Sequence, residues 1–160
     1  MKFTFLGQNC FLFTYRGKNI LSDPFYNYQK EQSGFDIKAH KIDYILLTHA
    51  HGDHIADVEE VLAHYPEATI IGVPEVCGYF KNAKNTCDIN LGGSAKVEDL
   101  KISMVPAHHT SSFPDGTYGG VPVGYIFRLP EGRNMYLAGD TGVMADMELF
   151  PRLFGKIDLS

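Results

Sequence analysis

Residues 48–54 read Thr-His-Ala-His-Gly-Asp-His and bring His49, His51, Asp53 and His54 into one short stretch. Three imidazoles crowded as cations would repel. As neutral imidazoles beside a carboxylate they suit a divalent metal. In extended backbone, positions i and i+2 face the same side, so His49 and His51 can converge on one ion. Asp53 and His54 follow Gly52, where the chain is expected to bend. They could address a second position a few Å away, as in two-metal hydrolytic sites. A purely structural zinc site would favour a closed, cysteine-rich shell, and no cysteine lies near.

Two further loops offer ligands. Pro106-Ala107-His108-His109-Thr110-Ser111-Ser112 follows an apolar run, so five of the seven histidines lie in two loops. Adjacent residues in extended backbone point apart, so one of His108 and His109 is expected to ligate, and spacing alone does not choose. Asp140, after Gly139, leaves another apolar run and could bridge two metals or cap a following helix. Asp23 ends a strand in the same way. It could cap the turn at Pro24 or orient a ligand histidine from behind. His40 and His64 have no such company and read as structural or surface residues.

These loops need a scaffold that gathers them at strand ends, where open α/β sheets place chemistry. Lys2–Leu6, Cys10–Tyr15 and Asn19–Ser22 read as an antiparallel meander joined by the turns Gly7-Gln8-Asn9 and Arg16-Gly17-Lys18. Residues 26–36 show no period and read as a long loop. Lys41–Leu47 and Ala68–Gly72 read as strands. Asp57–His64 reads as a helix, with Val58, Val61 and Leu62 on one face. Pro74 can open a helix running to about Phe80. Two hairpins follow: Ala95–Val97 with Lys101–Val105, and Val123–Leu129 with Asn134–Ala138. Met144, Met147, Phe150 and Phe154 share one face of a helix predicted from Met144 to Phe154. The order predicts a layered α/β (α+β in some schemes) domain with sheets inside and helices outside. There is also an internal echo. Asn19-Ile-Leu-Ser-Asp23 followed by Lys41-Ile42-Asp43 resembles Asn134 through Asp140 followed by Lys156-Ile157-Asp158, which suggests two similar halves.

At 160 residues and 44% hydrophobic content, one domain over 1–160 with a real core is expected. A net charge of −5 argues against nucleic acid or an anionic membrane as the main partner. The three cysteines show no CxxC spacing and their odd count completes no disulfide framework. The start is too short for a signal-peptide apolar region, and no long apolar run is present. A cytoplasmic protein with a small-molecule substrate is expected.

His-x-His-x-Asp-His after an apolar strand, a later histidine at a strand exit and then a Gly-Asp loop resemble the metallo-β-lactamase-fold hydrolases over essentially the whole chain. Ser22-Asp23-Pro24-Phe25 and Pro106-Ala107-His108-His109-Thr110-Ser111 resemble the branch of small metal-dependent hydrolases similar to ascorbate-phosphate lactonase. The resemblance implies an αββα sandwich with two metal ions, zinc first, manganese or iron also suiting the donors. It implies His49, His51 and His109 on the first ion, Asp53 and His54 on the second, and Asp140 bridging. It selects His109 over His108 and gives Asp23 an indirect supporting role. The family's last histidine has no counterpart after His109. The resemblance therefore predicts a sandwich incomplete at the C-terminal side and a second site short of one ligand.

Hydrolysis of a small ester, lactone or phosphoester by an activated water is the expected chemistry, with Asp53 orienting the water and shuttling its proton. A non-catalytic binding module with an impaired site is the alternative. A redox role is disfavoured, since oxygen-reducing members of the fold carry a glutamate where His51 stands. An exposed sheet edge would invite a homo-oligomer.

Overall fold

A computed structural model describes residues 1–160 as two packed β-sheets. The first has the order β1 (Lys2–Gly7), β2 (Cys10–Tyr15), β3 (Lys18–Ser22), β4 (Tyr44–Leu46), β5 (Thr69–Gly72) and β6 (Asn85–Asp88). β1 to β3 form an antiparallel meander, and β3 to β6 pair in parallel. The second sheet is antiparallel, with β10 (Asn134–Leu137), β9 (Val123–Arg128), β8 (Leu100–Pro106) and β7 (Ser94–Val97) in that order.

The sheets meet through alternate side chains. Leu100, Ile102 and Met104 of β8 and Val123, Tyr125 and Phe127 of β9 join the main core, while Val105 and Ile126 join a separate cluster with Met144 and Phe150. That period of two separates an inner face from an outer one. Phe13 meets Phe127 across the interface at 4.9 Å between ring centroids. Ile45, Leu46, Ile70 and Ile71 are all buried, as expected of parallel strands covered on both faces. Their cover includes α3 (Val58–His64), which buries Val58, Val61 and Leu62, and α4 (Pro74–Tyr79), which buries Val76 and Cys77. The second sheet is covered from outside by α5 (Phe150–Phe154), where Phe150 meets Tyr136 at 5.3 Å. The layers are those of an αββα sandwich.

Several expectations are corrected. Residues 26–36 are not a plain loop. A 3₁₀ turn over Tyr26–Gln29 leads into α1 (Lys30–Ser33), and another 3₁₀ turn covers Ile37–Ala39. Single turns are too short to print a period, yet this segment buries Tyr26 and Ile37 in the turns and Phe35 between them. β4 is shorter than Lys41–Leu47 because ladder pairing holds only Tyr44 to Leu46. β6 gave no signal, since Asn-Thr-Cys-Asp is a polar, mostly exposed edge strand without apolar alternation. The helix from Met144 is broken into a 3₁₀ turn, Ala145–Glu148, and α5. Pro151 lacks an N–H and so fits only a helix's first turn. The predicted face survives the break, for Met144 and Phe150 are buried together with Met147 and Phe154 packed on them.

The internal echo is structural. Asp43 accepts from Asn19 N at 3.1 Å, and Asn19 Nδ2 donates to Lys41 O at 2.7 Å. Asp158 accepts from Asn134 N at 3.0 Å, and Asn134 Nδ2 donates to Lys156 O at 2.9 Å. Ile20 pairs in parallel with Tyr44, and Met135 bridges in parallel to Leu159. No helix is long and apolar enough to cross a membrane.

Candidate metal centre

Parallel pairing of β3 with β4 sets the foundation. Asp23 N donates to Leu46 O, and Thr48 N donates back to Asp23 Oδ1 at 2.8 Å. Asp23 is fully buried in a left-handed conformation, φ +36°, and Thr48 Oγ1 donates to its Oδ2 at 2.7 Å. His54 Nδ1 lies 2.9 Å from the same Oδ2. Of the two roles open to Asp23, the structure shows the one behind the histidines.

After β4 the chain bends at Thr48, is extended at His51 and then turns once as α2 (Gly52–Ile55). The bend is this helical turn, with His54 N donating to His51 O at 2.9 Å. It does not rest on glycine. Gly52 lies outside the left-handed region, and a Cβ there would meet nothing nearer than Pro114 at 3.7 Å. Glycine is required elsewhere. At Gly119 a Cβ would fall 2.2 Å from Ala50 Cβ, and at Gly139 (φ +63°) it would fall 2.9 Å from Thr48 Cβ. Backbone therefore passes directly against the histidine loop on two sides.

The loops after β8 and β10 are tied to each other. His108 N donates to Thr141 Oγ1, and Gly142 N donates to His108 O, each at 2.9 Å. His109 joins the cluster, and the exposed His108 stays outside it. One ring nitrogen each from His49, His51 and His109 lie within 4.8 Å of one another, and so do ligand atoms of His49, His54 and Asp140. His49 is shared between the groups, its ring 4.0 Å from that of His54 and 5.1 Å from that of His109. Asp140 spans them too, with Oδ1 3.5 Å from His54 Nε2 and Oδ2 3.7 Å from His109 Nε2. It caps no helix, because the turn after Met144 has no side-chain cap. Asp53, its side chain 46% exposed, places Oδ2 3.8 Å from His54 Nε2.

The hydrogen bonds constrain the ring protons. Burial pushes the Asp23 carboxyl up, while His54 and Thr48 pull it down; when ionised it accepts from His54 Nδ1–H, and the neutral ring then offers its lone pair at Nε2. Thr48 spends its hydroxyl proton on Asp23 and can only accept from His49 Nδ1, 3.1 Å away, which leaves a lone pair on His49 Nε2. His49 Nε2 lies 3.0 Å from His51 Nδ1. Burial, with the neighbouring imidazoles of His54, His51 and His109, brings the His49 pKa down to about 2. Burial pushes His54 the same way. The Asp23 hydrogen bond and charge, with Asp140 and Asp53, outweigh it and raise its pKa. His54 Nε2 is buried without a hydrogen-bond partner. Buried nitrogens are normally satisfied, and one left open toward two carboxylates fits a cation.

Three residues close to these groups carried no signal for a site in the sequence. Thr48 read as part of the motif's lead-in. Gln8 and Asn9 read only as turn residues, yet Gln8 Nε2 donates to Asp53 Oδ2 at 2.9 Å and Asn9 Nδ2 to Asp140 Oδ1 at 2.6 Å.

A sandwich that gathers histidines and aspartates from several strand exits at one edge defines a class of metal-site proteins. Residues 18–160 match the beta-lactamase superfamily domain. A UPF0173 metal-dependent hydrolase of Flavobacterium johnsoniae is 45% identical, covering 100% of this chain and 70% of its own length. One from Methanopyrus kandleri is 38% identical, covering 96% of this chain and 68% of its own. The structure of Igni18, described as a novel metallo hydrolase from Ignicoccus hospitalis, superposes with a TM-score of 0.76 at 30% identity, covering 95% of this chain and 66% of that one. The chain belongs to the beta-lactamase superfamily and, within it, to the UPF0173 family. It spans about two thirds of the length of these relatives.

Proposed function

We propose that this chain carries the centre of a metal-dependent hydrolase acting on a small ester, lactone or phosphoester. His49, His51 and His109 would hold one divalent ion. Asp53 and His54 would hold a second, with Asp140 shared. Zinc suits the imidazole and carboxylate donors, and manganese or iron(II) suits them next. The observation that carries the reading is the buried, unpartnered His54 Nε2, whose ring is held by Asp23 on its far side and which faces two carboxylates. The names of the relatives support the same class of chemistry.

A bound divalent ion supplies Lewis acidity, polarising a scissile bond's oxygen and bringing the pKa of a water toward neutrality. The chain's own groups do the rest. Asp23 and Thr48 hold two imidazoles by Nδ1 and so turn Nε2 of each toward the site, where His54, its pKa raised, would give up any Nε2 proton to bind an ion. Asp53 is the exposed carboxylate at the mouth and can take a proton from an attacking water. Thr110 Oγ1 lies 3.4 Å from His51 Nε2, and Ser111 Oγ accepts from Ala50 N while donating to Gly119 O. These contacts tie the loop after β8 to the histidine loop as a wall of the site.

The test is zinc content by elemental analysis together with hydrolysis of p-nitrophenyl acetate, bis-p-nitrophenyl phosphate and a simple lactone. Zinc bound by the wild-type chain, lost in His49→Ala, and turnover of one probe abolished by a chelator are expected. Equal zinc in wild type and variant overturns the site. Bound zinc without turnover on any probe favours a binding module in place of an enzyme.

A further inference from the structure

The turn between β1 and β2 has a use that the fold alone does not require. Gly7, Gln8 and Asn9 reverse the chain through left-handed backbone, φ +118° at Gly7 and +53° at Gln8. Glutamine is an uncommon residue at such an angle. Its side chain donates to Asp53 Oδ2 at 2.9 Å, and the next side chain donates to Asp140 Oδ1 at 2.6 Å. Those same two oxygens lie 3.8 and 3.5 Å from the open His54 Nε2. The turn is itself pinned. Ser22 Oγ donates to Asn9 O at 2.8 Å and accepts from Phe11 N at 3.0 Å. Ser22 precedes Asp23, so the end of β3 aligns the turn with one residue and the histidines with the next.

We infer that Gln8 and Asn9 are positioning residues for the second cation. Each carboxamide occupies one lone pair of a carboxylate oxygen, stops that carboxylate from rotating, and leaves another lone pair facing His54 Nε2. Both donors are neutral, so they orient the oxygens without cancelling the negative charge that attracts the ion. The inference rests on the metal-centre reading above.

The experiment is titration of the metal-free chain with Zn²⁺ against a chromophoric chelator, beside the thermal midpoint without metal. Gln8→Asn keeps a carboxamide and accepts left-handed backbone more readily, but is one methylene too short to reach Asp53. Asn9→Leu keeps similar bulk without a donor. Two ions in the wild type, a second-ion affinity about tenfold weaker in each variant, an unchanged first ion, and a Gln8→Asn midpoint within about 2 °C of wild type are expected. Unchanged second-ion affinity in both variants overturns the inference and leaves the centre standing. Loss of both affinities in step with the thermal midpoint also overturns it, since that is a structural role. A wild-type chain with a single ion overturns it and spares the three-histidine site. A wild-type chain with none overturns both readings.

Discussion

Asp23 and His54 lie 31 positions apart and meet at 2.9 Å, both without solvent exposure. Asp23 also takes both donors of Thr48, so one carboxylate governs two imidazoles, directly at His54 and through a hydroxyl at His49. Asp23→Asn isolates that role. Asparagine tolerates positive φ, so the backbone cost is small. An NH₂ in place of Oδ2 reverses the hydrogen bonds of Thr48 Oγ1 and His54 Nδ1 or leaves one unmade, at about 1–3 kcal/mol. The expected result is a lower urea midpoint and a zinc affinity weaker by about 10- to 100-fold. Chelator competition and urea unfolding of the same protein check both.

Gly139→Ala tests the close approach beside Thr48. A Cβ would sit 2.9 Å from Thr48 Cβ on a backbone at φ +63°. Left-handed strain and overpacking together are expected to cost about 2–4 kcal/mol. Calorimetric unfolding should show a lower midpoint. Gly52→Ala should be close to neutral, because its Cβ would enter ordinary van der Waals contact. Equal losses at both positions would contradict the geometry.

His108 and His109 are separable by zinc content. His109→Ala is expected to remove zinc from the three-histidine group, whereas His108→Ala should retain it, its side chain lying outside the cluster. Elemental analysis after extensive dialysis reads the difference.

Asp43 links the fold to pH. Burial pushes its carboxyl up, but Lys41, the Asn19 N–H and Lys18 outweigh this and hold it below the usual carboxylate range. A depressed folded pKa contributes stability that is complete above the unfolded value. That contribution is lost as pH falls through the depressed folded value. Asp43→Asn should therefore be less stable than wild type at neutral pH, and the gap should narrow in acid. Urea titrations of both proteins at pH 7 and pH 3 give the comparison.

The chemistry was legible because ligands must be of a few residue types. His49, His51, Asp53 and His54 declare themselves by type and crowding, whereas place at a strand exit only nominated the pair His108 and His109 and left Asp140 open between ligand and cap, and the family resemblance chose among them. The meander, the two hairpins and α3 followed from apolar periods. β6 and the turns of residues 26–39 did not, because an exposed edge strand and single helical turns bury too little to leave a pattern. Pro151 was visible in the sequence, and its effect on the helix from Met144 is local chemistry that periodicity overlooks.

By itself the sequence nominated the candidate donors, the order of the strands that carry them and the repeated Asn-to-Asp unit. These are local, resting on residue type and short-range spacing. Only the tertiary structure decided that Asp23 and Thr48 hold the rings of His54 and His49 by Nδ1, that His54 Nε2 is left without a partner, and that Gln8 and Asn9 reach the carboxylates of Asp53 and Asp140. Those contacts join residues up to 131 positions apart. Their partners are chosen by sheet pairing and loop packing, which no short-range pattern along the chain encodes.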